Sequence, residues 1–368
     1  MAHNMVSGVV KVGGFSHVRA VQIGGGFPVA IQTMWKDRLS PEGLDDAAKR
    51  IEALEEMGCD LLRFAVPDVQ SAEIVGRLAE MVRLPLVADI HFDYRIALRC
   101  MDFPIAKIRV NPGNIGGREK VRAVLEKAAA GNIPIRIGVN SGSLPADLRE
   151  RVEKGMETSN ALVLAAQRET ALFEEFGFNS YLVSMKASTI ADNINANRIL
   201  ASRTQAPLHL GVTEAGPLTA GVARNTAALL TLLTEGIGDT IRVSLCDTME
   251  NEIIAGREIL AAAAEIAPEN SRLKRAGVKL VSCPRCGRHG FDTHGFTSRW
   301  AGRLYALKKD ATVAVMGCEV NGPGEAKHAE LGITGAGNKV LIFKRGKVVK
   351  TVTADEADRA FEEELLKL

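Results

Sequence analysis

The chain has 368 residues, of which 46% are hydrophobic and 24% charged, with 46 basic side chains against 44 acidic ones. That length favours one large domain plus a smaller one, and the composition excludes long disordered stretches. A net charge of +2 with no block of like charge, and few aromatics, speaks against a nucleic-acid binder.

In chain order, residues 1–10 show no basic start followed by an apolar stretch, and the most apolar runs, 227–233 and 259–264, are too short to span a bilayer. A cytoplasmic protein with no membrane segment is expected, with its six cysteines reduced rather than paired. Gly24-Gly25-Gly26 reads as a tight turn before the first strand. Eight apolar runs then follow, at 29–33, 61–64, 86–89, 106–110, 133–137, 181–184, 208–212 and 240–244. They lack a two-residue polar period, as buried parallel strands do. Helical spacing of apolar residues predicts helices between them at 45–57, 70–83, 118–130 and 222–233. Eight strand-helix units predict a closed TIM-type α/β barrel, with an open doubly wound sheet as the alternative.

In a barrel of this kind, chemistry sits at the C-terminal ends of the strands. Those ends carry Arg63, Asp89, Arg109 with Asn111, Arg136 with Asn140, Lys186, Glu214, and Arg242 with Ser244. Five cations against two acids would form a mouth suited to a phosphorylated substrate, because guanidinium forks grip phosphate oxygens. The plain alternative for each is an ordinary solvated or ion-paired residue.

A helix at 252–266 and a polar linker at 268–272 place the domain boundary at 270/271. Residues 271–368 read as an α+β domain, with strands at 312–316 and 339–343 and a helix at 354–367. This domain holds Cys283-Pro-Arg-Cys286, then Cys318, then Glu325 in Asn321-Gly-Pro-Gly-Glu325. Three thiols suit an iron-sulfur cluster with one iron left open, but zinc with His289, His294 or His328 as fourth ligand also fits the spacing. Cys59, Cys100 and Cys246 lie in or beside apolar segments and are expected in the core. The glycine-rich 332–339 stretch fails as a phosphate loop, because Asn338 intervenes before Lys339 and a strand follows.

Ser282-Cys-Pro-Arg-Cys-Gly-Arg288 and Met316-Gly-Cys-Glu-Val-Asn-Gly-Pro-Gly-Glu-Ala326 resemble the cluster motifs of the 4-hydroxy-3-methylbut-2-enyl diphosphate synthases. The barrel stretches 87–95, 109–114, 136–140, 209–216 and 235–244 resemble that family in the same order. The resemblance implies a TIM-type barrel joined to a domain like that of sulfite reductase, which carries a 4Fe-4S cluster. It implies Cys283, Cys286, Cys318 and Glu325 as ligands, and this decides between iron and zinc. It also implies reductive ring opening of 2-C-methyl-D-erythritol 2,4-cyclodiphosphate, with ferredoxin or flavodoxin as electron donor. The diphosphate would be bound by Arg63, Arg109, Arg136, Lys186 and Arg242 with Asn111, Asn140 and Ser244, joined by Asp89 and, beside the cluster, Asn321.

Glu325 is expected to be an exchangeable ligand, and Glu214 to donate a proton to the departing hydroxyl from a water-poor pocket. A homodimer in which the barrel of one subunit meets the cluster domain of the other is implied as well. The chain departs from the family at Trp35-Lys36, at Thr189 where aspartate is common, and at Asn197-Arg198 in place of Tyr-Arg. The rival reading is a barrel enzyme for another phosphorylated or pterin-like substrate with a structural zinc domain.

Overall fold

The computed structural model describes residues 7–318, 322, 324 and 326–368. The expected site residues Asn321 and Glu325 lie outside the described residues. The chain divides into two compact units, Met1–Arg275 and Ala276–Leu368.

In the first unit, β1 (Val10–Val12) and β2 (Val21–Ile23) form an antiparallel hairpin. Eight strands follow: β3 (Ala30–Met34), β4 (Leu61–Ala65), β5 (Leu86–Ile90), β6 (Lys107–Val110), β7 (Ile135–Asn140), β8 (Tyr181–Lys186), β9 (His209–Leu210) and β10 (Thr240–Ile241). All eight expected strands are present, and every pairing among them is parallel. The sheet runs β8-β7-β6-β5-β4-β3-β10-β9, and a parallel bridge between Val183 and Leu208 joins its two ends into a barrel. The open-sheet alternative is thereby excluded.

Helices return the chain between strands. Leu44–Glu56 buries Leu44, Ala47, Ala48, Ile51 and Leu54 on one face, at the three- and four-residue spacing that marks an amphipathic helix. Asp68 and Thr248 start the helices Val69–Met81 and Met249–Ile266 by accepting backbone N–H bonds, which satisfies donors the first turn leaves open. Thr189 does the same for Ile190–Ala201. Threonine caps nearly as well as aspartate, so that departure from the family pattern leaves the helix start intact.

The β1–β2 hairpin was not anticipated from the sequence. Val10, Val12, Val21 and Ile23 pack with Ala30, Leu61, Val87, Ala106 and Leu182, which lie at or near the N-terminal ends of the barrel strands. The hairpin therefore plugs the end of the barrel opposite the expected mouth.

The second unit is a five-stranded sheet in the order β11 (Val278–Ser282), β12 (Ala311–Met316), β13 (Leu331–Ala336), β14 (Lys339–Lys344) and β15 (Lys347–Val352). The first two pairings are parallel and the last two antiparallel. Helices Thr293–Ala306 and Ala357–Leu365 cover it, with Phe296, Trp300 and Phe361 packed ring to ring. The glycine-rich 332–339 stretch forms β13 and its turn into β14, with Gly337 at a φ of 60°. It is a hairpin leading into a strand, and not a phosphate loop.

Candidate functional site

Side chains alternate along a strand, so residues two apart share a face. On β6 this puts Lys107 and Arg109 on the same side, and the register sets Arg109 beside Asp89 of β5 and Arg136 of β7. Arg109 Nη1 donates to Asp89 Oδ1 at 2.9 Å, and Arg63 Nε lies 3.5 Å from Asp89 Oδ2. His91 Nε2 is also 3.5 Å from that oxygen. Burial alone would push the Asp89 carboxyl up. The bond from His91 and the Arg63, Arg109 and Arg136 guanidiniums outweigh it and hold the group well below the usual carboxylate range.

Across the barrel, Glu252 of helix Met249–Ile266 has a fully buried side chain. Arg242 donates to it through Nε at 3.3 Å and Nη2 at 3.2 Å. Thr33 Oγ1 donates at 2.6 Å, the Leu245 N–H at 3.0 Å, and Lys36 Nζ sits 2.9 Å away. Burial opposes ionisation here too, and Arg242 leads the groups that reverse it, so the carboxyl is net lowered.

The remaining cations are less well served. Arg136 is 1% exposed and donates through Nη1 to Ser184 Oγ at 2.8 Å, while its Nε and Nη2 have no hydrogen-bond partner among the described residues. Lys186 is buried at the end of β8, opposite Asn140 of β7. Burial, and then Arg242 and Arg63, hold its amine well below the usual lysine range. Burial also lowers Arg63, to about 10.

Two glycines make room for these side chains. A Cβ at Gly138 of β7 would fall 2.4 Å from Arg109 Nε, and one at Gly211, just past β9, would fall 2.8 Å from Lys186 Nζ. Arg63, Asp89, Arg109, Arg136, Lys186 and Arg242 thus form one linked electrostatic cluster inside the C-terminal end of the barrel.

Asn111 is turned partly to one side of this cluster. It is buried at the start of a short helix and lines a cavity of about 360 Å³ with Asn114, Arg149 and Glu169. Ser244 is half-buried. Glu214 departs from expectation. It is exposed, has a φ of 54°, and accepts from Ser188 Oγ at 3.1 Å. The barrel itself gives it no water-poor pocket, because it lies past the strand on the loop that the positive-φ Gly216 turns away.

Lys107, His209, Glu252, Gly138 and Gly211 belong to this region and were not singled out from sequence, and Lys36 was noted only as a departure from the family. Glu252 was recoverable as the one acid on the buried face of its helix.

In the second unit Cys283 directly follows β11 and Cys318 follows β12, and these are neighbouring parallel strands. Their loops therefore leave the sheet side by side. The Cys283 N–H donates to Val315 O at 2.9 Å, and a Cβ on Gly317 would lie 3.7 Å from Cys283 Sγ. Cys286 is exposed, with its carbonyl 2.7 Å from His289 Nδ1. None of the three cysteines is in a disulfide. Three thiols on converging loops fit a soft, thiolate-bound group, although the described residues by themselves contain no group of three or more His, Cys, Asp or Glu close enough for an ion.

Of the other cysteines, Cys59 and Cys100 are buried as expected, with their thiols pushed up to about 12 by burial. Cys246 is exposed, contrary to expectation. It lies in the loop beyond β10, which is two residues long and ends before the apolar run does.

Residues 15–257 match the family described as the GcpE TIM-barrel domain, and residues 279–367 match the GcpE protein C-terminal domain. The chain belongs to the GcpE family. A relative from Treponema pallidum named 4-hydroxy-3-methylbut-2-en-1-yl diphosphate synthase (flavodoxin) is 52% identical, over 97% of this chain and 91% of its own. Relatives of the same name from Clostridium perfringens and Pseudomonas syringae pv. tomato are 42% and 43% identical, over 98% and 92% of this chain and 97% and 88% of theirs. Membership of the GcpE family makes the chain an oxidoreductase and sets aside the rival reading of a barrel enzyme for another phosphorylated or pterin-like substrate. No helix among the described residues is long and apolar enough to cross a membrane.

Proposed function

We propose that the chain converts 2-C-methyl-D-erythritol 2,4-cyclodiphosphate into 4-hydroxy-3-methylbut-2-enyl diphosphate, in the methylerythritol phosphate route to isoprenoid precursors. The dianionic ring takes up two electrons and a proton, opens, and loses water to give a trianionic product. The observation that carries this reading is the imbalance of charge in the barrel: five cations, Arg63, Arg109, Arg136, Lys186 and Arg242, converge around two buried acids among the described residues, Asp89 and Glu252. A bound diphosphate supplies the missing negative charge, and guanidinium forks match its oxygens in pairs.

In this reading Arg63, Arg109, Arg136, Lys186 and Arg242 bind the phosphates, with Asn111, Asn140 and Ser244 adding neutral donors and Asn321 contacting substrate. Asp89 and Glu252 hold Arg109 and Arg242 in place before substrate arrives, so little reorganisation is left for the reaction. Glu214, steadied by Ser188, gives a proton to the departing hydroxyl once substrate displaces the water that reaches it. Cys283, Cys286, Cys318 and Glu325 would hold a 4Fe-4S cluster, which when bound supplies the electrons singly. The donor is inferred to be flavodoxin, the word printed in the relatives' names, and the assembly a homodimer working in the cytoplasm.

The test is anaerobic purification followed by metal analysis and turnover of the cyclic diphosphate with reduced flavodoxin. About four irons per chain and product formation are expected. Zinc in place of iron, or undiminished turnover by Arg136→Met, would overturn the reading.

A further inference from the structure

One buried cation has no part in the binding just described. Lys107, the first residue of β6, is 0% exposed, and its Nζ has no hydrogen-bond partner among the described residues. It shares the inner face of its strand with Arg109, one step deeper in the barrel. The charged groups acting on it from the packed strands are Arg136 of β7 and Arg63 of β4, both cationic. His209 of β9, equally buried and also influenced by Lys107, has no partner for Nε2 among the described residues and has Nδ1 3.4 Å from Thr240 Oγ1. The acids of the mouth do not help, because Asp89 is engaged by Arg109 and Arg63, and Glu252 by Arg242 and Lys36.

A lysine kept for structure is paired when buried, since an unpaired ammonium in an apolar, cationic surrounding is costly. The neutral amine avoids that cost. Burial first, and then Arg136 and Arg63, hold it well below the usual lysine range. Anything that cancels the surrounding positive charge restores its basicity.

We propose that Lys107 is a proton-uptake site, whose amine takes a proton from solvent when a diphosphate binds in the barrel mouth above it. This rests on the reading of the mouth as a diphosphate site. The coupling is reciprocal: ligand favours the ammonium, and the ammonium tightens the ligand by the same factor. A proton thus enters the barrel with the substrate, before any electron does.

Calorimetric titration of the purified iron-loaded protein with the cyclic diphosphate, without reductant, tests this. The titrations are run near neutral pH in buffers of different ionisation enthalpy. The ligand has no group that titrates there, so the protons counted belong to the protein. Wild type is expected to take up about one proton per ligand, with affinity falling by up to about tenfold per pH unit as pH rises. Lys107→Met is expected to bind more weakly, with the uptake lost and the pH dependence flattened. Binding without net uptake, a flat wild-type pH profile, or undiminished uptake in Lys107→Met overturns the assignment while leaving the mouth as a diphosphate site. Failure of wild type to bind the ligand overturns the mouth itself and the inference with it. A flat wild-type profile overturns the assignment even if the variant does not fold, and Lys107→Gln, expected to lose the uptake in the same way, serves as the second variant.

Discussion

Gly138 and Arg109, on neighbouring strands of the barrel, occupy space that only a glycine leaves open: a Cβ on the one would stand 2.4 Å from Nε of the other. Arg109 passes over this bare stretch of β7 on its way to Asp89. Gly138→Ala is therefore expected to push the guanidinium off Asp89 while leaving the outer, helix-packed face of β7 untouched. KM for the cyclic diphosphate should rise about tenfold, or ~1.4 kcal/mol, and the melting temperature should fall, because a buried ion pair is disturbed. Steady-state kinetics beside a melting curve checks this, and an unchanged KM would show that Arg109 does not reach the substrate.

Glu252 collects Arg242, Lys36, Thr33 and the Leu245 N–H on one carboxylate. Glu252→Gln keeps the shape but leaves Arg242 without its counter-charge, and breaking a buried pair from one side costs about 3–5 kcal/mol. Denaturant titration should show a loss of that order. A loss below ~1 kcal/mol would mean that solvent already screens the pair.

The pH dependence of stability carries the same sign on its acid and alkaline sides, stability rising with pH on both. Asp89 and Glu252 are lowered in the folded protein, so their contribution is present above the ordinary carboxylate range and is lost as pH falls through their folded values. Lys107 and Lys186 are lowered bases. Between their folded values and the ordinary lysine range the unfolded chain binds more protons, so the ligand-free protein gains stability as pH rises there. Thermal midpoints measured from neutral to mildly alkaline pH should climb in wild type and climb less in Lys107→Met. Equal slopes would show that Lys107 stays charged in the empty barrel.

Thiol labelling separates the cysteines by environment. Burial holds the Cys59 and Cys100 thiols at about 12, and the thiolate is the reactive form. Iodoacetamide followed by mass spectrometry should leave both unmodified until the protein unfolds, while exposed Cys246 and Cys286 react. In iron-loaded protein Cys286 should become protected along with Cys283 and Cys318, and Cys246 should not. Labelling of Cys286 at an unchanged rate would remove it from the ligand set.

The barrel was legible in the sequence because strands buried on both faces need unbroken apolar runs, and each of the eight runs ends where solvent and chemistry begin. What that rule reads is the end of a strand. Lys107 stands at the start of one, so it passed for an ordinary strand-flanking charge. Glu252 was hidden for a different reason: a glutamate in a helix is ordinarily solvated, and only the tertiary fold turns this one toward Arg242. The three-residue strands of the N-terminal hairpin are too short to show a period. Glu214 was expected to be sheltered because it follows a barrel strand, yet β9 is two residues long and the acid already lies on the loop beyond it. Trp35, one of the departures from the family, stacks on Phe64 at 5.5 Å and so fills space beside the mouth. Asn197, another, donates to Asn193 O at 2.8 Å from inside its helix, a local bond with no counterpart in sequence spacing.

The hairpin of Val10–Val12 and Val21–Ile23 makes the barrel a vessel with one opening. With its base stoppered by valines and isoleucine, water, hydronium and substrate share a single doorway, and whichever enters first lies beneath the next. A diphosphate seated in that doorway is then also a cork: whatever proton lies under it is withdrawn from exchange with bulk solvent until product leaves. Deuterium carried in on the floor of the barrel should therefore be retained through a turnover and released only with the product.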